Sequence, residues 1–494
     1  MTETAAEPEW LVHAFARYAE ERPDHPAVTD AATGESLTWR ELVDRAEVVA
    51  KGMVARGAKQ GDLVTVALWN SIDFVVADMA AWRIGATPQP LSQKLAVPEF
   101  QAILDIGRPS IVIGDEALAE RFGVEMATVA QLAAEGAAYD ADLPYVLSPS
   151  LKAPTSGGST GLPKIILAGG PAAIDQATMD MWRTTGDTVA LVSAPMHHNA
   201  PHSVMFMTIG AGGHVVLMDR FDAEQVLANI EKYRCNLLYV VPIMMHRMWN
   251  LPDDVKARYD HSSVSTVWHM GAPCPAWLKE RWIEWFGAEP IWELYAGTEA
   301  QAVTVINGVD WLTHRGSVGQ VVVGEMIALD DDHNPVSAGT PGELWMRRPE
   351  DRPETYRYVG AEPKRLDRGD GVQWESLGDI GQFDDEGYLY LHDRKTDMIL
   401  VGGVNVFPAE IEAALEKHPS VSSSAVIGLP DEEYGNRVHA IVHAPADADI
   451  DDIHRHLAEQ LSPHKRPRTI EISDEPLRDE AGKSRRSALR AARL

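Results

Sequence analysis

Cysteine is nearly missing from this chain: Cys235 and Cys274 are the two in 494 residues. They lie far apart and at no metal-ligand spacing, which excludes a disulfide framework or a cysteine-rich zinc site and fits a reducing compartment. Basic residues are scarce too, 44 Lys+Arg against 73 Asp+Glu, for a net charge of -29. So acidic a surface repels phosphate backbones and anionic lipid, which excludes nucleic acid and membrane as partners and requires a local basic site for any polyanionic ligand. No apolar run approaches the roughly 20 residues that span a bilayer. The opening MTETAAEPEW lacks the charged-then-apolar layout of a secretion signal, so a cytoplasmic protein is expected. A G-x-x-x-x-G-K-[ST] phosphate loop and internal repeats are absent as well.

What the chain does have is the balance of an ordinary globular protein, 45% hydrophobic and 24% charged, at a length that calls for two or more domains. Helical spacing over Leu11–Glu21 and Trp39–Ala55 alternates with short apolar runs at Leu63–Leu68 and Ile111–Ile113. Further runs follow at Thr188–Ala194, His214–Met218, Leu237–Val241 and Ser265–Met270. Apolar strands separated by amphipathic helices predict an α/β fold with largely parallel sheets. The Ala-rich stretch 116–142 reads as a helical surface element. From about 316 to 393, short strands between Gly/Asp/Asn turns predict a smaller β-rich lobe. Beyond it an α+β pattern is expected, with helices over Pro408–Lys417 and Ile450–Leu461 and strands over Ser424–Gly428 and His439–Ala444.

Within this frame, Thr155-Ser156-Gly157-Gly158-Ser159-Thr160-Gly161-Leu162-Pro163-Lys164 combines glycines, small hydroxyls and one lysine. Glycines let backbone N–H groups point inward as an anion nest, and the lysine adds full charge, which is chemistry for a polyphosphate. A solvated Gly/Ser turn is the plainer alternative. Pro195-Met196-His197-His198-Asn199-Ala200-Pro201-His202 follows an apolar strand and reads as a polar pocket rim, a His-rich loop satisfied by backbone, or, without an accompanying carboxylate, a poor metal site. Gly271-Ala272-Pro273 and Glu293-Leu294-Tyr295-Ala296-Gly297-Thr298-Glu299 both stand at strand C-termini, where α/β sheets place ligands. Thr298 offers a hydroxyl to phosphate and Glu299 a carboxylate to Mg²⁺. Ser376-Leu377-Gly378-Asp379 puts a carboxylate on a turn, suited to ribose hydroxyls. Gly402 and Gly403 permit close approach of a ligand chain ahead of a helix opened by Pro408, and Gly482-Lys483 by itself is a solvated tail charge.

These motifs, in this order and over nearly the whole chain, resemble the adenylate-forming superfamily of acyl-CoA synthetases, standalone adenylation domains and luciferases. The resemblance implies a large N-terminal domain over 1–393 carrying the β-rich lobe, a hinge at 394–397 centred on Thr396, and a small mobile α+β domain over 398–494. It implies that a carboxylate attacks the α-phosphorus of ATP to give acyl-AMP and pyrophosphate, and that a thiol then attacks the mixed anhydride after the small domain rotates. Thr155 to Gly161 and Lys164 would hold phosphates, with Gly271, Ala272, Pro273, Glu293, Leu294, Tyr295 and Ala296 around the nucleotide. Thr298 would touch the α-phosphate, Glu299 would anchor Mg²⁺, Asp379 and Arg394 would take the ribose, and Lys483 would bridge carboxylate and α-phosphate. His197, His198, Met205, Gly271, Gly297 and Gln301 would line the acyl pocket, with His198 as its gate. Gly402 and Gly403 would line the pantetheine tunnel, and Lys465, Arg466 and Arg468 would meet CoA phosphates. Trp182, Met207, Trp268 and the stretch 301–305 are further pocket candidates whose alternative is core packing.

Three positions depart from the commoner pattern: Gly157 and Leu377 stand where hydroxyl residues are usual, and Thr396 where Asp or Lys is. The loop, the His-His-Asn-Ala-Pro motif and Leu-Gly-Asp together resemble the bile-acid and steroid CoA ligases and the ligases of platensimycin-type diterpenoid biosynthesis, which implies a bulky polycyclic acid. Two forms of the activity stay open, a complete ligase and one that mainly thioesterifies a preformed acyl-AMP supplied by a partner ligase. Loading of a carrier protein and noncatalytic acyl-adenylate binding are the alternatives; a homodimer is the expected assembly.

Overall fold

The computed structural model describes residues 8–157, 163–350, 353–369, 371, 373–401, 404–431, 434–479 and 482–494. Its centre is a sheet of six parallel strands in the order Ile291–Tyr295, Thr266–His269, Leu237–Val240, Val189–Val192, His214–Leu217 and Pro26–Asp30. Four of them are apolar runs of the sequence, each trimmed by a residue or two where ladder pairing ends, whereas the runs Leu63–Leu68 and Ile111–Ile113 form a separate parallel sheet with Thr87–Pro90. Successive strands from Val189–Val192 go to opposite sides: His214–Leu217 on one, Leu237–Val240 on the other. That is a topological switch point, and the crevice it opens lies at the strand C-termini. Pro195–His198, Gly271 and Tyr295–Glu299 all follow strands at this edge.

The helices Leu11–Glu21 and Trp39–Ala55 have the bounds their periodicity predicts. The Ala-rich stretch is two helices, Glu116–Phe122 and Val129–Ala137, divided at Gly123, whose φ of 63° ends the first. The second exposes one face to solvent and packs the other. Leu132 is fully buried, and a Cβ on Gly136 would meet the Val48 carbonyl oxygen at 1.8 Å, so small residues let this helix lie against Trp39–Ala55.

The expected β-rich lobe exists, but it continues the central sheet: Val303–Asn307 pairs with Ser317–Val323, which pairs with Leu389–Arg394. From Ile399 onward the chain builds its own core, in which Val406, Ile411, Leu415, Val442, Ile453 and Leu457 are buried. A large α/β domain and a small C-terminal domain therefore bury separate apolar sets. Among the described residues, no helix is long and apolar enough to cross a membrane.

Candidate active site

The strand Thr155–Gly157 pairs antiparallel with Pro163–Ala168, setting Ser156 opposite Lys164. Gly158, Ser159, Thr160 and Gly161 lie outside the described residues, as do Gly402 and Gly403. Lys164 leaves the hairpin to place Nζ 3.2 Å from Glu299 Oε1. Glu299, 4% exposed, also accepts a hydrogen bond of 2.5 Å from the Tyr358 hydroxyl, and its backbone carbonyl accepts one of 2.7 Å from Thr355 Oγ1. Thr298 lies beside it in the same turn, half-buried. Among the described residues no three His, Cys, Asp or Glu side chains gather as a metal site. The chemistry of Glu299 nevertheless fits a divalent cation: a buried carboxylate already drawing in a cation, Lys164, whose other metal ligands would be water and phosphate oxygen.

The next layer comes from the β-rich lobe. Register sets Asp379 opposite Arg394, whose Nε lies 3.4 Å from Asp379 Oδ1. The Tyr295 hydroxyl donates to Asp379 Oδ2 at 2.7 Å, and burial together with Asp379 pushes the Tyr295 phenol well above its ordinary value, so it stays a donor. Leu377, where a hydroxyl residue is commoner, packs on Gly297: a Cβ there would meet Leu377 Cδ1 at 2.2 Å. The two positions form one packing unit that their separate motifs do not reveal.

Lys483 arrives from the C-terminal domain. Gly482, with φ of 75°, packs near Ala272, Ile243 and Val241, and Asp479 accepts the Lys483 backbone N–H at 2.9 Å. Lys483 is exposed as a residue. Burial and Arg394 lower its pKa from the ordinary lysine value, against the opposing pull of Asp479, Glu299 and Asp379. His198 feels the same charge: burial first, then Lys483, push it down to about 4, so it is neutral near pH 7. His198 also stands at the N-cap position of the helix Asn199–Gly210, without a side-chain cap bond, and packs against His197 at 4.3 Å between ring centroids. Lys483 is thus within electrostatic reach of Glu299, Asp379, Arg394 and His198.

Other candidates are engaged elsewhere. Glu293 is buried in an ion pair with Lys279 at 2.6 Å, so its carboxylate faces the core and not the crevice. Met205, Met207 and Trp268 belong to the main apolar core, with Trp182 packed against it. Gln301 is buried and hydrogen-bonded to Glu375. His202 is the core member of the His motif, bonded through Nε2 to Asp78 at 2.6 Å. Lys465 is held by both oxygens of Glu410 at 2.7 Å, and Arg466 caps the preceding helix through the Leu461 and Ala458 carbonyls. Arg468 lies over the Tyr434 ring, 3.6 Å from Asp431. Thr396 lies exposed in the turn after Arg394.

Sequence reasoning missed Asn70, Tyr358 and Lys152. Asn70 donates to the Ala194 and Met218 carbonyls and accepts the Met196 N–H, pinning the start of the His loop. Lys152 donates to Ser203 Oγ at 2.7 Å and lies 4.8 Å from the Phe206 ring, and burial alone lowers its pKa to about 7. The unfolded lysine titrates near ~10.4, so between about pH 7 and 10 the unfolded chain holds more protons and stability rises with pH. Lys152→Met is therefore expected to raise Tm by a few degrees at pH 7 and to leave it nearly unchanged at pH 10, since Ser203 keeps its bond to the Asn199 carbonyl. Equal shifts at both pH values in thermal scans would refute the charge argument.

Comparison with known proteins now adds to this geometry. A family model described as AMP-binding enzyme matches residues 15–350, and one described as AMP-binding enzyme C-terminal domain matches 410–483. Feruloyl-CoA synthase of Amycolatopsis is 32% identical, over 89% of this chain and 91% of that protein. The 2-succinylbenzoate–CoA ligase of Bacillus licheniformis is 26% identical, over 98% of this chain and 99% of its own length. The o-succinylbenzoate CoA synthetase of Bacillus subtilis, solved with its acyl-adenylate, superposes with a TM-score of 0.80 at 22% identity, covering 98% of each chain.

Proposed function

The chain belongs to the AMP-binding enzyme family, and from that premise we propose that it is an AMP-forming acid–thiol ligase that makes the CoA thioester of a bulky, polycyclic carboxylic acid through an acyl-AMP intermediate. The observation that carries the reading is the convergence of Lys483, from the small domain, with Glu299, Asp379 and His198 of the large one and Arg394 at the turn between them. In this reading Asp379, oriented by Tyr295, accepts from the ribose hydroxyls, with Arg394 beside it. Glu299 and Thr298 flank the α-phosphate, where a bound Mg²⁺ would neutralise charge as one anion approaches another. Neutral His198 lets the acid reach the cleft without an added charge, and Lys483 stabilises the negative charge that gathers between carboxylate and α-phosphate. Rotation about 394–397 would then exchange Lys483 for the thiol.

The polycyclic acid is supported by the Ser156–Gly161 loop, His197–Pro201 and Leu377–Asp379 as sequence motifs. The narrower form, in which a preformed acyl-AMP is the main substrate, rests on Gly157 and Leu377, since each lost hydroxyl contact costs about 1 kcal/mol. Carrier-protein loading draws support from Lys465 and Arg466, which are committed within the small domain. One assay series separates these readings: ATP–pyrophosphate exchange with a panel of acids, then synthetic acyl-AMP offered to CoA and to a holo carrier protein. Acid-dependent exchange and acyl-CoA release are expected with polycyclic acids. Exchange with linear fatty acids only would refute the substrate class, and transfer to the carrier protein alone would refute CoA as acceptor.

A further inference from the structure

Tyr356–Val359 completes a three-stranded sheet with Thr155–Gly157 and Pro163–Ala168, pairing antiparallel with the latter and setting Tyr358 opposite Ile166. Side chains alternate along a strand, so Lys164, two residues from Ile166, shares a face with Tyr358 as its diagonal neighbour. The Lys164 ammonium lies 3.8 Å from the centroid of the Tyr358 ring, while the Tyr358 hydroxyl donates to the same Glu299 oxygen that Lys164 approaches. One residue thus touches both the loop lysine and the carboxylate. Thr355, at the head of that strand, holds the Glu299 carbonyl as well. Glu299 is in consequence fixed through its backbone and its side chain by one segment.

Resting on the ligase reading above, we propose that Tyr358 is a positioning residue for the metal–nucleotide: its ring shelves Lys164 and its hydroxyl orients Glu299, so that Lys164 can leave the carboxylate for the incoming phosphates while Glu299 stays aimed at the divalent cation. A buried carboxylate needs a cation at all times. Lys164 fills that need until the metal arrives, and the hydroxyl keeps the carboxylate from turning during the exchange. Groups that orient a metal ligand in this way typically set affinity by about 10–100-fold. The ring contributes separately, since a cation over an aromatic face is held electrostatically.

The test uses the full chain, Mn²⁺ as the spectroscopic cation and a non-hydrolysable ATP analogue. Electron paramagnetic resonance titrations would give the Mn²⁺ Kd in the presence of the analogue, and calorimetry the affinity for AMP without metal. Tyr358→Phe keeps the ring and is expected to weaken Mn²⁺ about tenfold while AMP binding stays at the wild-type value. Tyr358→Leu, which also removes the shelf, should weaken the analogue further. Unchanged Mn²⁺ affinity in Tyr358→Phe overturns the proposal, and so does an equal loss of metal-free AMP binding, which would mark general loosening of the strand. Failure of the wild-type chain to bind the analogue at all would overturn the ligase reading itself, and the proposal with it.

Discussion

Lys483→Ala is expected to reduce ATP–pyrophosphate exchange by at least about 10²–10³-fold, the usual cost of deleting one preorganised charge or donor aimed at a developing oxyanion. The same variant should convert synthetic acyl-AMP and CoA to thioester within a few-fold of the wild type. The asymmetry follows from where the lysine comes from. Its backbone is held in a short turn, with Gly482 against Ala272 and the Lys483 N–H on Asp479, and that turn belongs to a domain with a separate core. Burial and Arg394 depress its pKa, so its charge is held at some cost that anionic substrates would relieve. Arginine is a poor replacement, because its planar fork demands a different geometry from the compact ammonium. Equal loss in both half-reactions would show that Lys483 supports folding or thiol attack as well, and normal exchange would remove it from the chemistry.

The second large effect is expected at Arg486. Its guanidinium reaches Asp393 at 2.9 Å, Asp397 at 2.8 Å and Glu412 at 2.8 Å, and so ties the turn between the domains to the helix Pro408–Leu415. Arg478 completes the cluster with Glu412 at 2.9 Å and Glu416 at 3.0 Å. The Asp393 and Glu412 side chains are only 6% and 3% exposed, and burial already raises the Asp393 carboxyl above its ordinary range. Arg486→Leu would take the paired cation from Asp393 and Asp397, while Glu412 keeps Arg478. Removing one partner of a buried ionic cluster costs about 3–5 kcal/mol, enough to unfold the small domain or release the turn. Expected observations are a low-temperature unfolding step and rapid proteolysis near 394–397. Arg486→Lys should restore only part of the loss, since an ammonium cannot bridge three carboxylates with the same fork. A wild-type thermal profile for Arg486→Leu would show that the cluster contributes nothing net.

Much of the frame could be read from the chain. Helical periodicity located Leu11–Glu21 and Trp39–Ala55 because an amphipathic stripe is a local property. Apolar runs located the parallel strands, and the motifs at their C-termini lie at the switch point where such sheets hold ligands. Other features become legible only in the fold. The Ala-rich stretch reads as a surface element, and its packing against Trp39–Ala55 through Gly136 stays hidden because alanine and glycine carry little hydrophobic signal. Lys465 and Arg466 read as ligand cations, and a sequence does not display Glu410 or the helix carbonyls that they also bond.

Residue chemistry alone therefore specified the layers, the family motifs and the kinds of group at the crevice, since each depends on neighbours within a few positions. The pairings came only with folding. Lys164 meets Glu299 across 135 positions, Tyr358 meets it across 59, and Arg486 meets Asp393 across 93. Contacts at such separations are set by strand register and by how two cores dock, and no local pattern encodes either.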